Sequence, residues 1–360
     1  MSVSEERGLA CEARLNLRNL PLYIDRISDR LQSFDADASQ DGQRLDFRFA
    51  FGGASLDMER LVMRANAADR DGLARIKDLL ATAVQVYARE EKPEIVWTGD
   101  LADETGLAQF REMVVTDVHD LTPHMRRIRF AGEDLSRFAK FGGMHIRMLF
   151  PTREVPDPLW PMLGSNGLPV WPSDDRRPVA RVYTIRALDV ANGIIDVDFL
   201  IHPGDSVGAH WAIHATAGMK IGIMGPVGRP VRPASWYLMG ADETGLPALA
   251  RMLEILPAET KGVAFVEIAD DSERQVIDNA TGIELHWLPR NGVPAGLDAR
   301  LARAILSVSW PTGSAFGWFA AEAAAARIVR EHWRGTLALG RNETLAAAYW
   351  RRGAAGLMAG

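Results

Sequence analysis

The sequence holds a single cysteine, Cys11, in 360 residues. One thiol cannot close an internal disulfide, and it cannot supply the ligands of a four-thiolate iron–sulfur cluster or a structural zinc site. Any redox chemistry must then use a bound organic cofactor, haem or a metal held without thiolate. There is no run of about 18 apolar residues, so no helical membrane span is expected. Positive charge is not in excess either. Forty-one Lys and Arg against 47 Asp and Glu give a formal net charge of −6, which argues against a protein that coats nucleic acid but leaves room for a local basic pocket. The N-terminal MSVSEERGLACEARL is charged from residue 5 and has no apolar stretch of secretory length, so GLAC does not read as a lipoprotein box. The expectation is a cytoplasmic protein with one incidental thiol. The eight histidines (His119, His124, His145, His202, His210, His214, His286 and His332) are scattered through strand and turn positions, and no protein-bound metal is expected.

What is present describes an ordinary globular chain: 47% hydrophobic and 24% charged residues, long enough for two to three domains. Residues 8–98 read as a small α+β domain. Asn19 stands where it could cap a helix with Pro21 in its first turn, and Leu20, Ile24, Ile27, Leu31 and Phe34 follow at helical spacing. Leu45 to Phe51 alternates strictly, as a half-buried strand does, and Gly52-Gly53 turns the chain. A second helix is expected from Asp69, with Leu73, Ile76, Leu80, Val84 and Tyr87 on one face. No catalytic constellation falls in this part.

Residues 108–232 read as an all-β section, with strands at 110–118, 125–130, 145–150, 179–187, 193–201 and 220–224. Seven of the 19 prolines fall between Pro151 and Pro178, a density that forbids a regular helix or a central strand. From residue 234 to the end, strands at 236–240, 263–268, 284–288 and 316–320 alternate with helices, the pattern of a parallel α/β sheet.

Three constellations stand out. In Arg181-Val182-Tyr183-Thr184-Ile185-Arg186, alternation puts Arg181, Tyr183 and Ile185 on one face. At a strand end such residues offer a cation, an aromatic face and a hydroxyl, the needs of a flavin dinucleotide. A solvated edge strand has the same pattern. Downstream, a strand ends near His202 and a turn opens a short helix capped by Asp205 or Ser206, where free backbone N–H groups suit a pyrophosphate. Any strand–turn–helix offers as much. Finally, Gly240-Ala241-Asp242-Glu243-Thr244-Gly245-Leu246-Pro247 follows the first strand of the α/β section. It lacks the spaced glycines of a dinucleotide fingerprint, but ligands of parallel sheets sit at such carboxyl ends. Glu322 occupies the equivalent place on a later strand, where it could equally cap its helix.

Together these segments resemble the siderophore-interacting protein family, a branch of the ferredoxin–NADP reductase-like flavoproteins. RVYTIR resembles the family's R-x-Y-T-x-R flavin segment, and HIRMLFP (145–151) its H-[IV]-[KR]-L-x-F-P strand. YLMGADETGLPALARMLEILP, WFAAEAAAARIVREHWR and the terminal AYWRRG (348–353) match further segments in order. The likeness spans residues 110–353. It has departures. The pyrophosphate turn keeps Trp211 and Ala212 but reads Ser206-Val207-Gly208-Ala209-His210. Gly225-Pro226-Val227-Gly228 replaces Gly-Pro-Arg-Gly and displaces the cation to Arg229. Ala321 replaces the glycine beside Glu322. Residues 10–97 are similar to a small uncharacterised domain, with ISDRLQSF in place of its H-F-A-H-K stretch.

The resemblance implies an antiparallel β-barrel flavin domain followed by an α/β parallel-sheet nicotinamide domain, behind the small α+β domain. It implies an NAD(P)H-dependent, FAD-containing ferric-siderophore reductase. The alternatives are a flavin or ferredoxin-type reductase serving another protein, and a non-catalytic siderophore-binding module. FAD would be held by Arg181, Tyr183, Thr184, His202, Ser206, Gly208, Ala209 and Trp211. Asp242, Thr244, Pro247 and Glu322 would border the nicotinamide. Arg147, Arg229, Arg351 and Arg352 would face the anionic siderophore. The acidic run Asp270-Asp271-Ser272-Glu273 leans the donor towards NADH, while Ser272 and Arg274 would suit the 2′-phosphate of NADPH.

Overall fold

The computed structural model describes residues 8–202, 204, 206–228 and 231–354. The chain divides into two compact units, one running through Phe110 and taking in Asp157–Arg177, the other made of Arg111–Pro156 and the chain from Pro178 onward. No helix among the described residues is long and apolar enough to cross a membrane.

The first unit packs α1 (Ile24–Gln32) and α2 (Arg70–Tyr87) on an antiparallel sheet of β1 (Leu9–Leu15), β2 (Asp37–Asp41), β3 (Arg44–Phe49), β4 (Gly52–Asp57), β5 (Val62–Ala67) and β6 (Ile95–Gly99). The sheet order is β2-β3-β4-β5-β1-β6. Alternation sends Cys11, Ala13 and Leu15 of β1 and Leu45, Phe47 and Phe49 of β3 into one core with Leu73, Ile76, Leu80 and Val84 of α2. Asp69 caps α2, its carboxylate accepting from the Gly72 amide at 2.9 Å. Asn19 does not act as expected. It precedes a 3₁₀ turn over Leu20–Leu22 and makes no side-chain cap, and α1 begins only at Ile24. Gly52 and Gly53 open β4 rather than forming a free turn. At Gly52, φ is +150° and an added Cβ would lie 2.2 Å from the Asn66 carbonyl oxygen, so the close strand approach requires glycine.

The second unit begins with β7 (Phe110–Thr122), β8 (Met125–Ala131), the short α3 (Ser136–Lys140) and β9 (His145–Phe150). The proline-rich stretch then leaves this sheet. Its ribbon, β10 (Met162–Leu163) with β11 (Pro169–Val170), belongs to the first unit, where the Trp97 indole donates to the Asn166 carbonyl at 3.1 Å. The sheet resumes with β12 (Val179–Thr184), β13 (Ala187–Asp189), β14 (Ile194–Leu200), α4 (Val207–His214) and β15 (Lys220–Val227). Its order is β12-β9-β15-β7-β8-β14-β13. Because β12 and β13 are nearly continuous and pair with opposite edges, β9 and β14, the extended run 179–189 closes the sheet into a barrel. Inside lie Phe130, Ile146, Met148, Phe150, Val197, Phe199 and Trp211.

The remainder is a parallel sheet, ordered β18-β17-β16-β19-β20, of β16 (Trp236–Ala241), β17 (Lys261–Ile268), β18 (Gly282–Pro289), β19 (Ala315–Glu322) and β20 (Thr344–Trp350). The helices are α5 (Leu246–Ile255), α6 (Arg300–Leu306) and α7 (Ala323–Glu331). Leu246, Leu249 and Leu253 of α5 pack with Tyr237 and Met239 on one side, while Leu301, Ile305, Val329 and Trp333 fill the other. Barrel and α/β module are joined within this unit. Arg186 grips the Glu254 carboxylate at 2.5 and 2.6 Å, and Arg251 donates to the Ile185 carbonyl at 2.7 Å. Buried Glu273 accepts from Thr122 Oγ1 at 2.5 Å and pairs with His124 Nδ1 at 2.7 Å.

Candidate functional site

The first half of the site lies where β12, the end of β14 and the start of α4 meet. Arg181 is half-buried, and its guanidinium donates to the Ala180 carbonyl at 2.8 Å. Two residues on, Tyr183 points the same way, its ring 4.5 Å from Phe199 and 5.7 Å from Phe150. Burial pushes its phenol pKa up. The hydroxyl lies against α4: a Cβ on Gly208 would fall 1.9 Å from it, so the helix backbone and the tyrosine share space that only glycine leaves open. Thr184 is buried and stands directly opposite His145 in the β12–β9 ladder. His202 is exposed at the end of β14, and Ser206 precedes α4 without making a side-chain cap. Asp205 lies outside the described residues. Gly208 and Ala209 are buried in the first turn, and Trp211 is buried against Phe130 with its indole N–H lacking a hydrogen-bond partner.

The second half is at the carboxyl edge of the parallel sheet. Asp242, 4% exposed, accepts through Oδ1 from the Thr244 amide and hydroxyl at 2.9 and 2.5 Å, and from the Gly245 amide at 3.3 Å. Through Oδ2 it accepts from the Glu322 amide at 3.1 Å and the Trp350 indole at 2.7 Å. Burial raises its pKa, opposed by the bonds from Thr244 and Trp350. Both oxygens are thus spent on the protein, and Asp242 ties the ends of β16, β19 and β20 together rather than offering a free ligand. Glu322 does cap α7, accepting from the Ala324 amide, and its other oxygen accepts from the Arg352 amide at 3.2 Å. Pro247 occupies the first turn of α5 beside Thr244. Ala321, beside Glu322, belongs to the core cluster of Leu301, Ile305, Val329 and Trp333.

Beneath this edge, Arg290 joins Glu243 at 2.6 Å and Glu267 at 3.4 Å, all three buried. Burial pushes the Glu267 carboxyl up to about 7 despite the arginine. In the acidic run, Asp270 accepts from the Ser272 amide and hydroxyl at 2.8 and 2.5 Å, and Arg274 pairs with Asp271 at 2.7 Å. Glu273 turns away towards Thr122 and His124, so it does not line the edge.

Of the four arginines expected to face substrate, Arg147 is half-buried on β9, between Val182 and Met224 in register and on the His145 face of the strand. Arg351 and Arg352 are exposed just beyond β20. Arg229 lies outside the described residues.

His145 and Tyr349 carried no role in the sequence reading, although they sit inside HIRMLFP and AYWRRG. The His145 Nε2 and the Tyr349 hydroxyl are 2.6 Å apart, joining β9 to β20. Trp350 was equally unmarked. His210 and His214 stand one turn apart on α4, a spacing that suits two metal ligands and that the sequence reading passed over, and His214 Nδ1 contacts the His210 carbonyl at 2.8 Å. No group of three or more potential ligands able to hold a metal is found among the described residues.

Comparison with known proteins places the chain in a family. Residues 114–230 match the siderophore-interacting FAD-binding domain, and 234–353 match the siderophore-interacting protein family. The ferric vibriobactin reductase of Vibrio cholerae is 29% identical over 238 residues, covering 65% of this chain and 86% of that protein. The NADPH-dependent ferric-chelate reductase of Escherichia coli is 31% identical over 223 residues, covering 59% and 82%. The crystal structure of a siderophore utilization protein from T. fusca is 31% identical with a TM-score of 0.58, covering 69% of this chain and 95% of that one. The chain belongs to the siderophore-interacting protein family and is an FAD-containing oxidoreductase with the fold of that family.

The residues present fit the flavin dinucleotide. The Trp211 indole N–H is an orphaned buried donor, the first turn of α4 has no side-chain cap over its amides, and Gly208 lets Tyr183 of the flavin segment lie directly against that turn.

Proposed function

We propose that this protein reduces the iron of ferric siderophores with electrons from NAD(P)H, releasing Fe(II) in the cytoplasm. One observation carries the reading. The strand end bearing Arg181, Tyr183 and Thr184 and the sheet edge bearing Thr244, Pro247 and Glu322 belong to one unit, and the His145–Tyr349 hydrogen bond at 2.6 Å joins β9, the neighbour of β12, to β20, the neighbour of β19.

When bound, FAD would supply the conversion between two-electron hydride chemistry and single-electron transfer that a one-electron metal acceptor needs. In our reading Arg181 would hold its phosphates, with the first turn of α4 supplying amide donors. Tyr183 would supply an aromatic face and Thr184 a hydroxyl for the ring system. Thr244, Pro247 and Glu322 shape the space for the nicotinamide, and Arg147 with Arg351 and Arg352 draws an anionic chelate to a chain of net charge −6. Reduction weakens the hold of hard siderophore oxygens on iron, so no catalytic acid or base is required. The names of the Vibrio cholerae and Escherichia coli relatives support this substrate class and a nicotinamide donor. For the choice of dinucleotide, the Arg274–Asp271 pair and the carboxylate of Asp270 favour NADH.

The test is Arg147→Ala. It raises the Michaelis constant for an anionic ferric siderophore while leaving flavin reduction by NAD(P)H unchanged. A variant that reduces triscatecholate, hydroxamate and citrate chelates as well as the parent does, at low and moderate salt, refutes the cationic acceptor site.

A further inference from the structure

The terminal strand β20 is anchored on two sides by consecutive residues. Side chains of neighbouring strand residues point to opposite faces. Tyr349 meets His145 of the barrel at 2.6 Å, while Trp350 turns to Asp242 at 2.7 Å, and just beyond the strand the Arg352 amide reaches Glu322 at 3.2 Å. His145 in turn stands opposite Thr184, the threonine of the flavin segment. A run of hydrogen-bonded and laddered residues thus leads from Thr184 through His145, Tyr349 and Trp350 to Asp242, which holds Thr244 and the Glu322 amide. It connects the two sites that must meet for hydride transfer.

We propose that the His145–Tyr349 pair is a positioning element: it holds the end of β20, and through Trp350 and Asp242 the nicotinamide pocket, in register with the flavin strand. The inference rests on the function proposed above. Neither residue is needed to keep the modules together, because Arg186–Glu254, Arg251–Ile185 and Glu273 with Thr122 and His124 do so elsewhere. What the pair adds is registration, and a misplacement of about 1 Å between reacting groups costs roughly a hundred-fold in rate. The imidazole is kept uncharged: burial, then the nearby Arg251 of α5, pushes its pKa down to about 4. Burial, reinforced by Asp242, holds the Tyr349 phenol protonated. Arg147 is the charged group on the His145 face of β9. A neutral imidazole and a neutral phenol can share one proton without a change of charge, so the contact persists across working pH.

Four variants test this: Tyr349→Phe, His145→Ala, their combination, and His145→Gln, whose amide can still bond the tyrosine hydroxyl. Each is expected to retain FAD by absorbance. In anaerobic stopped-flow, hydride transfer at saturating NADH or NADPH falls 10- to 100-fold in Tyr349→Phe and His145→Ala, with the half-saturating concentration little changed. The double variant is no slower than the slower single variant, and His145→Gln recovers most of the loss. In flavin-free protein, nitrogen NMR of the His145 ring shows the Nε2 signal shifting on Tyr349→Phe. Single variants within two-fold of the parent, losses that multiply in the double variant, or an Nε2 signal indifferent to the tyrosine overturn the inference. A parent whose flavin takes no electrons from either dinucleotide overturns the functional reading, and the pairing itself is then decided by the NMR result alone.

Discussion

The indole of Trp350 donates to the carboxylate of Asp242 at 2.7 Å, joining residues 108 apart in sequence. That carboxylate also receives Thr244, Gly245 and Glu322, so one buried group sets the ends of β16, β19 and β20. Replacing it with alanine strands several buried donors. Asp242→Ala is expected to lower apparent stability by about 3–5 kcal/mol in urea unfolding, and Asp242→Asn, which keeps one acceptor oxygen, by less. An alanine variant within about 1 kcal/mol of the parent would show that the carboxylate is not the node described.

Gly208 tests the contact between Tyr183 and α4. A methyl group there would lie 1.9 Å from the Tyr183 hydroxyl and 2.8 Å from its ring, which is packed against Phe199 and Phe150. Alanine favours a helix over glycine by roughly 1 kcal/mol, less than overpacking of this kind costs. Gly208→Ala should therefore be less stable than the parent without FAD, by about 1–3 kcal/mol, and bind FAD at least about ten-fold more weakly, about 1.4 kcal/mol. Titration of flavin-free protein by fluorescence quenching measures it, and an unchanged dissociation constant would remove Tyr183 and the start of α4 from the flavin site.

Glu267 makes stability depend on pH with a definite sign. Burial holds its folded pKa at about 7, above the ordinary carboxyl value of 4.5, so between those values the native state holds a proton that the unfolded chain has lost. Stability from this group therefore falls as pH rises from 4.5 to 7, and the loss is complete above 7. Glu267→Gln cannot ionise, and Arg290 keeps Glu243 as its partner. The variant should equal the parent near pH 4.5 and exceed it by about 1–2 kcal/mol at pH 8.5. A melting temperature below the parent's at pH 8.5 would mean that Glu267 is ionised and stabilising in the fold.

Where the sequence carried a strong periodic signal, it located elements closely. β9 runs from His145 to Phe150 as read, and Leu73, Ile76, Leu80 and Val84 do form the buried face of α2. Weak signals failed. β1 buries Cys11 and Ala13, too small to mark a strand, and β20 reads Thr-Leu-Ala-Ala-Ala-Tyr-Trp, where alanine suggests helix as readily as strand. Asn19 had the right residue type for a cap, but tertiary packing starts α1 four residues later in a different geometry. Within the site, residue types at strand ends were legible, whereas their partners were not. Nothing local reveals that Asp242 is saturated by Glu322 and Trp350, or that His145 meets a tyrosine 204 residues away. Such pairings are fixed by how barrel and α/β module pack, which no short window of sequence encodes.

In the function proposed, this chain alone carries electrons from a nicotinamide to siderophore-bound iron. The direct measurement is anaerobic: the FAD-loaded protein, a known amount of NADH or NADPH, excess ferric siderophore and a ferrous-specific chelator, with no other protein present. A hydride brings two electrons and each Fe(III) takes one, so the account predicts two Fe(II) trapped per nicotinamide oxidised. Flavin that is reduced by NAD(P)H but yields no Fe(II) from triscatecholate, hydroxamate or citrate chelates until a second protein is added would contradict it.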